Sequence, residues 1–140
     1  MTRNIVRTGY RTLLASALLC AGSIFAAPPD TAPEGTIAVK LGDYRFSPDT
    51  LNVRAGETVR LELTNTDHVT PHNLTLEADS AGLNVNVDVG PGKTEVVDIK
   101  PLVPGSYPFY CNKKLLFLKS HREHGMEGTL IVTPADSNQK

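Results

Sequence analysis

Once the first 27 residues are set aside, the sequence holds one cysteine, Cys111, and one methionine, Met126. An exported chain normally pairs its cysteines, so a solitary thiol asks for a chemical explanation. There is no His-rich or Met-rich tract, which argues against bulk metal sequestration. There is no excess of positive charge either. The three arginines of the first 27 residues leave 11 basic and 15 acidic groups in the remainder, a formal net charge of −4. Nucleic-acid recognition needs a basic face, and none is implied. No segment carries a long 3.6-residue apolar period, and there is neither an internal repeat nor a low-complexity tract, so helical bundles and repeat arrays are excluded.

The single long apolar run, Leu13 to Phe25, follows Arg3, Arg7 and Arg11 and ends in Ala26, Ala27, Pro28 and Pro29. A basic region, a short apolar stretch and small residues describe a secretory signal peptide over residues 1–27, with cleavage after Ala26 or Ala27. A retained anchor needs about 20 apolar residues and a softer ending. Leu19, where a lipoprotein needs a small residue before Cys20, disfavours a lipid anchor. Residues 28–35 read as a flexible arm, and residues 36–140 as one domain of modest core.

Within that domain, short β-like runs recur between Gly, Pro and Asp turns. They are Thr36 to Leu41, Tyr44 to Phe46, Thr50 to Arg54, Thr58 to Thr64, Asn73 to Glu77, Leu83 to Val89, Thr94 to Ile99, Tyr107 to Cys111 and Thr129 to Thr133. In Val59-Arg60-Leu61-Glu62-Leu63 the alternation of a half-buried strand is explicit. The spacing implies an all-β sandwich of seven to eight strands. Asn112 to Glu123 is the best helical candidate, good for a turn or two.

The chemistry-bearing residues cluster late in the chain. An apolar strand ends at Cys111, and His121, His124 and Met126 follow before the closing strand. Upstream lie His68 and His72. One thiol, imidazoles and a thioether form a donor set that suits copper: two imidazoles and a thiolate in a plane, with a weak axial thioether. Duller roles exist for each residue. His68 fits a solvated loop, His72 a polar turn, and Met126 a core gap. A Cys–His nucleophile is a further alternative for Cys111.

In this order the motifs resemble the cupredoxin family of plastocyanin- and azurin-like blue copper proteins. The resemblance runs from about Tyr44 to Pro134. It rests on Gly-Glu-Thr-Val at Gly56 to Val59, Pro-His-Asn at Pro71 to Asn73, Phe-Tyr-Cys at Phe109 to Cys111, and H-x-x-x-G-M-x-G at His121 to Gly128. It implies a cupredoxin-like Greek-key β-sandwich holding one copper ion. His72 and His121 would be the imidazole ligands, Cys111 the thiolate and Met126 the axial thioether. His124 competes with His121, but His121-x4-Met126 matches the plastocyanin spacing. Asn73 would tie down the ligand loop. One departure is the gap of nine residues between Cys111 and His121, longer than in plastocyanins or azurins and closer to copper nitrite reductases. Loop closure entropy grows slowly with length, so the gap does not forbid the site.

The resemblance implies a periplasmic one-electron carrier, more an electron-transfer protein than an enzyme. Its partner would be a redox protein (a cytochrome, an oxidase or a permease subunit), with the chain itself a monomer. Copper binding for resistance is a second class. A third is Fe(II) oxidation in a periplasmic iron-uptake system, suggested by likeness to small cupredoxin-like proteins of bacterial iron transport. His-x-His clusters are absent, so reduction of oxygen to water is excluded and iron oxidation would need a downstream acceptor. Leu115, Leu116, Phe117 and Leu118 are either ordinary packing or an exposed docking patch. Lys113, Lys114, Lys119 and Arg122 are either a solvated face or a basic ring that steers an acidic partner.

Overall fold

A computed structural model describes residues 35–135; the proposed signal peptide, most of the arm and residues 136–140 lie outside the described residues. The described residues form nine strands: β1 Thr36–Gly42, β2 Arg45–Ser47, β3 Thr50–Arg54, β4 Val59–Asn65, β5 His72–Ala78, β6 Leu83–Val89, β7 Thr94–Ile99, β8 Gly105–Tyr110 and β9 Glu127–Thr133. All nine β-like runs form strands, one or two more than the seven to eight expected; Arg45–Ser47 and Thr50–Arg54, separated by Pro48 and Asp49, join different sheets. One sheet runs β2-β1-β4-β7 and the other β3-β9-β8-β5-β6. Most neighbours are antiparallel, but β1 pairs parallel with β4 and β3 parallel with β9. The all-β reading is borne out.

Alternation decides what enters the space between the sheets. In β4, Val59, Leu61 and Leu63 are buried while the residues between them are less so. β3 sends Leu51 and Val53 inward, and β9 sends Leu130 and Val132. Phe46 and Phe109 meet edge to face with ring centroids 5.0 Å apart, in the favoured aromatic geometry. Opposite Phe109 in the β8–β9 register stands Gly128, where a Cβ would overlap the Phe109 ring and the Asp49 carbonyl. The second glycine of the H-x-x-x-G-M-x-G motif is therefore a packing requirement.

The same alternation carries the candidate donors inward. His72 shares its face of β5 with Leu74 and Leu76, both buried. Cys111 continues the row of Tyr107 and Phe109 one step past β8, and Met126 precedes the row of Gly128, Leu130 and Val132. These rows end at the same pole of the sandwich, so the donors form the last layer of the core.

The expected helical turn over Asn112–Glu123 is corrected. The segment is a loop narrowed by a β-bridge between Lys114 and Ser120, and only Arg122–His124 makes a short 3-10 turn. Leu and Lys favour helix, but the segment is pinned at both ends. The His121 amide donates to the Lys113 carbonyl at 2.8 Å, and the Cys111 amide to the Met126 carbonyl at 3.0 Å.

Candidate metal centre

Three ring or thiol atoms converge at the pole. His72 Nδ1 lies 3.1 Å from His121 Nδ1, Cys111 Sγ 3.3 Å from His121 Nδ1, and Cys111 Sγ 3.9 Å from His72 Nδ1. All three residues are buried. A point equidistant from these atoms lies about 2 Å from each, near the length of a bond from a first-row metal ion to imidazole or thiolate. The donor set and its dimensions therefore fit a metal ion. Met126, fully buried, is brought alongside through its backbone: its amide donates to the His121 carbonyl at 3.0 Å and its carbonyl accepts from Cys111.

The two histidines are held differently. His72 Nε2 meets Asp67 Oδ2 at 2.8 Å. A carboxylate accepts, so His72 carries its proton on Nε2 and turns the Nδ1 lone pair toward Cys111 and His121. Asp67 is itself placed by the Asp67 amide donating to Asn65 Oδ1 at 2.9 Å and the Asp43 amide donating to Asp67 Oδ1 at 3.3 Å. Burial pushes the Asp67 pKa up, but the hydrogen bonds from His72 and Asp43 and the nearby imidazoles outweigh it, so the carboxyl sits below its usual value. His121 comes from the loop and is nearly as buried. Burial first, then the neighbouring His72, lowers its pKa. Burial also pushes the Cys111 thiol up, partly offset by hydrogen bonds from the Asn73 and Lys113 backbones. A bound cation would favour the thiolate there.

Asn73 joins the two strands that carry His72 and Cys111. Its amide donates to Cys111 Sγ at 3.4 Å, and its Oδ1 accepts from the Asn112 amide at 2.9 Å. Its Nδ2 reaches Asn112 Oδ1 at 2.8 Å and Asn86 Oδ1 at 2.9 Å. These bonds link Asn73 to the segment that follows Cys111.

The structure brings His72, Cys111 and His121 together with Met126 beside them, and it leaves His68 and His124 outside the cluster. His68 is exposed. His124 stacks on Tyr44 with centroids 4.7 Å apart, and the Tyr44 ring stands edge-on to His121 at 4.9 Å. Leu115 to Leu118 are exposed, which rules out ordinary core packing for them. Of the basic residues, Lys113 pairs with Asp88 at 2.7 Å, and Arg122 pairs with Glu127 while lying 4.0 Å over the Tyr110 ring. Lys114 and Lys119 are exposed.

Two functional neighbours escaped the sequence. Asp67 stands five residues before His72, a spacing that carries no signal of its own. Tyr44 is 77 residues from His121 and reaches it because Asp43 and Tyr44 both take positive φ, 49° and 55°, between β1 and β2.

Comparison with known proteins agrees with this geometry. Residues 12–132 match the family described as Cupredoxin-like domain. The chain is 28% identical to chloroplastic plastocyanin of Hordeum vulgare, over 94% of this chain and 83% of the relative. Among solved structures, reduced auracyanin of Roseiflexus castenholzii aligns with a TM-score of 0.59 at 20% identity, over 74% of this chain and 100% of that one. Auracyanin A of Chloroflexus aurantiacus, described as a "blue" copper protein, aligns with a TM-score of 0.54 at 21% identity, over 70% of this chain and 98% of that one. At such identities these structures speak for the fold, whereas the family match spans most of the sequence. The chain belongs to the cupredoxin-like family.

Proposed function

We propose that this protein is a periplasmic one-electron carrier that holds a single copper ion between His72 Nδ1, Cys111 Sγ and His121 Nδ1, with Met126 as the weaker fourth ligand. The observation that carries the reading is the buried triangle of two imidazole nitrogens and one thiol sulfur at metal-bonding dimensions. When bound there, copper supplies a Cu(II)/Cu(I) couple whose potential is tuned by the thioether and by the surroundings of the sulfur. The chain's own residues do the rest. Asp67 orients His72, Asn73 orients Cys111 through its amide, and burial of all four side chains excludes water.

Burial also favours electron transfer over copper delivery, because an ion surrounded by Cys111, His72 and Met126 exchanges slowly. The route outward is His121, whose ring packs at right angles to that of the half-exposed Tyr44 and, through it, His124. A redox protein docking over Tyr44 and His124 would approach the site through one imidazole. Iron(II) is a second class of donor on the same reading, with the redox protein as acceptor.

The test is the visible absorption and EPR spectrum of the Cu(II)-loaded protein beside Cys111→Ser and His121→Ala. An intense thiolate-to-copper band with narrow hyperfine splitting, lost in both variants, is expected. A pale tetragonal spectrum indifferent to Cys111→Ser would sink the reading. Reduction by iron(II) or by a reduced cytochrome then separates the donors.

A further inference from the structure

The nine residues between Cys111 and His121 contain a feature that the metal site does not explain. Leu115, Leu116, Phe117 and Leu118 are 64%, 80%, 100% and 60% exposed. They form a tight turn, with the Leu118 amide donating to the Leu115 carbonyl at 2.9 Å, and the β-bridge from Lys114 to Ser120 closes the loop beneath them. Tight turns normally carry Gly, Asn, Asp, Ser or Pro. Here all four turn residues are large and apolar, and Leu116 is held at φ +49°, where a leucine is strained and glycine would rest. An apolar turn that is both solvent-exposed and conformationally unfavourable contributes nothing evident to folding. Val69, 85% exposed, lines the same cleft as Leu115 and Leu118, so the apolar surface continues beyond the turn.

Lysines flank the tip. Lys113 and Lys114 precede it and Lys119 follows, and no acidic residue stands between Asn112 and Arg122. We infer that this turn inserts into the interfacial region of an anionic lipid bilayer. Leu116 and Phe117 would enter the acyl boundary, while Lys114 and Lys119 would extend along it to the headgroups. Two observations favour lipid over a protein groove. The tip is convex, with Phe117 wholly exposed, so a protein would need a matching cavity whereas a bilayer deforms to receive it. Lysine is depleted in protein interfaces but suits anionic headgroups. Docked this way, the cleft lined by Tyr44, His121 and His124 faces the membrane surface, where a membrane-bound redox partner would present itself. The inference does not depend on the metal.

The chain has no tryptophan, so Phe117→Trp provides a single local reporter at a position with no packing to disturb. The protein isolated from an exporting host would be mixed with phosphatidylcholine vesicles with and without phosphatidylglycerol. The expected result is a blue-shifted emission, quenched by brominated acyl chains, that appears with the anionic vesicles and fades at high salt. Lys114→Glu with Lys119→Glu should weaken the response about tenfold or more. Leu102→Trp, exposed at the other end of β8, should stay unshifted, which separates insertion of this turn from any association through another part of the chain. An emission from Phe117→Trp that ignores both vesicle types overturns the inference. So does one that responds to polyglutamate and not to lipid, which would make the turn a protein-docking element. The Cu(II) spectrum of the same sample reports the metal site separately, so failure of one reading leaves the other standing.

Discussion

The two imidazoles of the site differ in what holds them. His72 belongs to a strand: it pairs with Val89 across β5–β6, is fully buried and is fixed by Asp67. His121 belongs to a loop: it is 6% exposed, its amide is tied to Lys113, and its ring rests against Tyr44. Strand geometry makes one half of the site part of the core. The other half is a segment whose ends are pinned and whose middle, Leu115 to Leu118, faces solvent. The division assigns separate tasks. The rigid half sets donor geometry and tautomer, and the loop half brings an imidazole edge near the surface, where electrons can cross.

The sharpest way to break the rigid half is Asn73→Ala. The substitution removes a buried side chain that accepts from the Asn112 amide and donates to Thr75 Oγ1 and to the side-chain oxygens of Asn86 and Asn112, so the link between β5, β6 and the segment after Cys111 is lost. A loss of about 1–3 kcal/mol in unfolding free energy is expected, read from the urea midpoint at unchanged slope. Phe117→Ala, at the tip of the loop half, should change the unfolding free energy by no more than about 0.5 kcal/mol, as an exposed substitution does.

Asp67 tests the division because its hydrogen bond goes to His72 and not to His121. Asp67→Ala frees His72 Nε2 and should lower copper affinity about 10- to 100-fold, as loss of a partner behind a metal-bound histidine does. Asp67→Asn keeps an oxygen acceptor and should recover most of that affinity. Competition titration with a chelator measures both. Nitrogen NMR of the metal-free protein should show the His72 proton on Nε2 in the parent and a tautomer mixture in Asp67→Ala.

Much of this organisation was legible in the sequence, for a physical reason. Cys111 continues Tyr107 and Phe109, Met126 anticipates Leu130 and Val132, and His72 leads Leu74 and Leu76, so a two-residue period alone sends these donors inward. His121 sits on no such row. Spacing to Met126 and resemblance single it out; in the structure it lies beside His72 and Cys111, while His124 stacks on the Tyr44 ring. What failed to show was long-range or unpatterned. Tyr44 reaches the site through two positive-φ residues, and Asp67 through a loop whose hydrogen bonds are invisible before folding. The helical reading of Asn112–Glu123 failed because local propensity gave way to anchoring at Cys111 and His121.

In the loop half, Gly125 separates conformational cost from steric cost. Its φ is +92°, and a Cβ there would meet nothing within 4 Å. Gly125→Ala should therefore cost about 1 kcal/mol through backbone strain alone. Gly128→Ala, which collides with Phe109 and the Asp49 carbonyl, should cost distinctly more. Thermal unfolding of the two variants side by side measures the difference.

The smallest effect belongs to Glu123, and its pH dependence has a definite sign. Glu123 Oε2 accepts from the Ser120 amide and hydroxyl, at 2.6 and 2.8 Å, while the Glu123 amide donates to Ser120 Oγ at 3.3 Å. This reciprocal pair opens the turn that follows His121, in the manner of a capping box. The hydrogen bonds from Ser120 hold the carboxyl below its ordinary value of 4.5. A depressed carboxylate favours the folded state above the unfolded pKa, and that contribution disappears as pH falls through the folded pKa. Glu123→Gln should thus be slightly less stable than the parent near neutrality, with the gap closing as the solution is acidified below 4.5. Because the group is exposed, the difference should be small and is best read as the gap between two urea midpoints across the pH series. A gap that widened in acid would mean that Glu123 is strained in this turn rather than anchoring it, and that the loop half is held by Lys113 and Met126 alone.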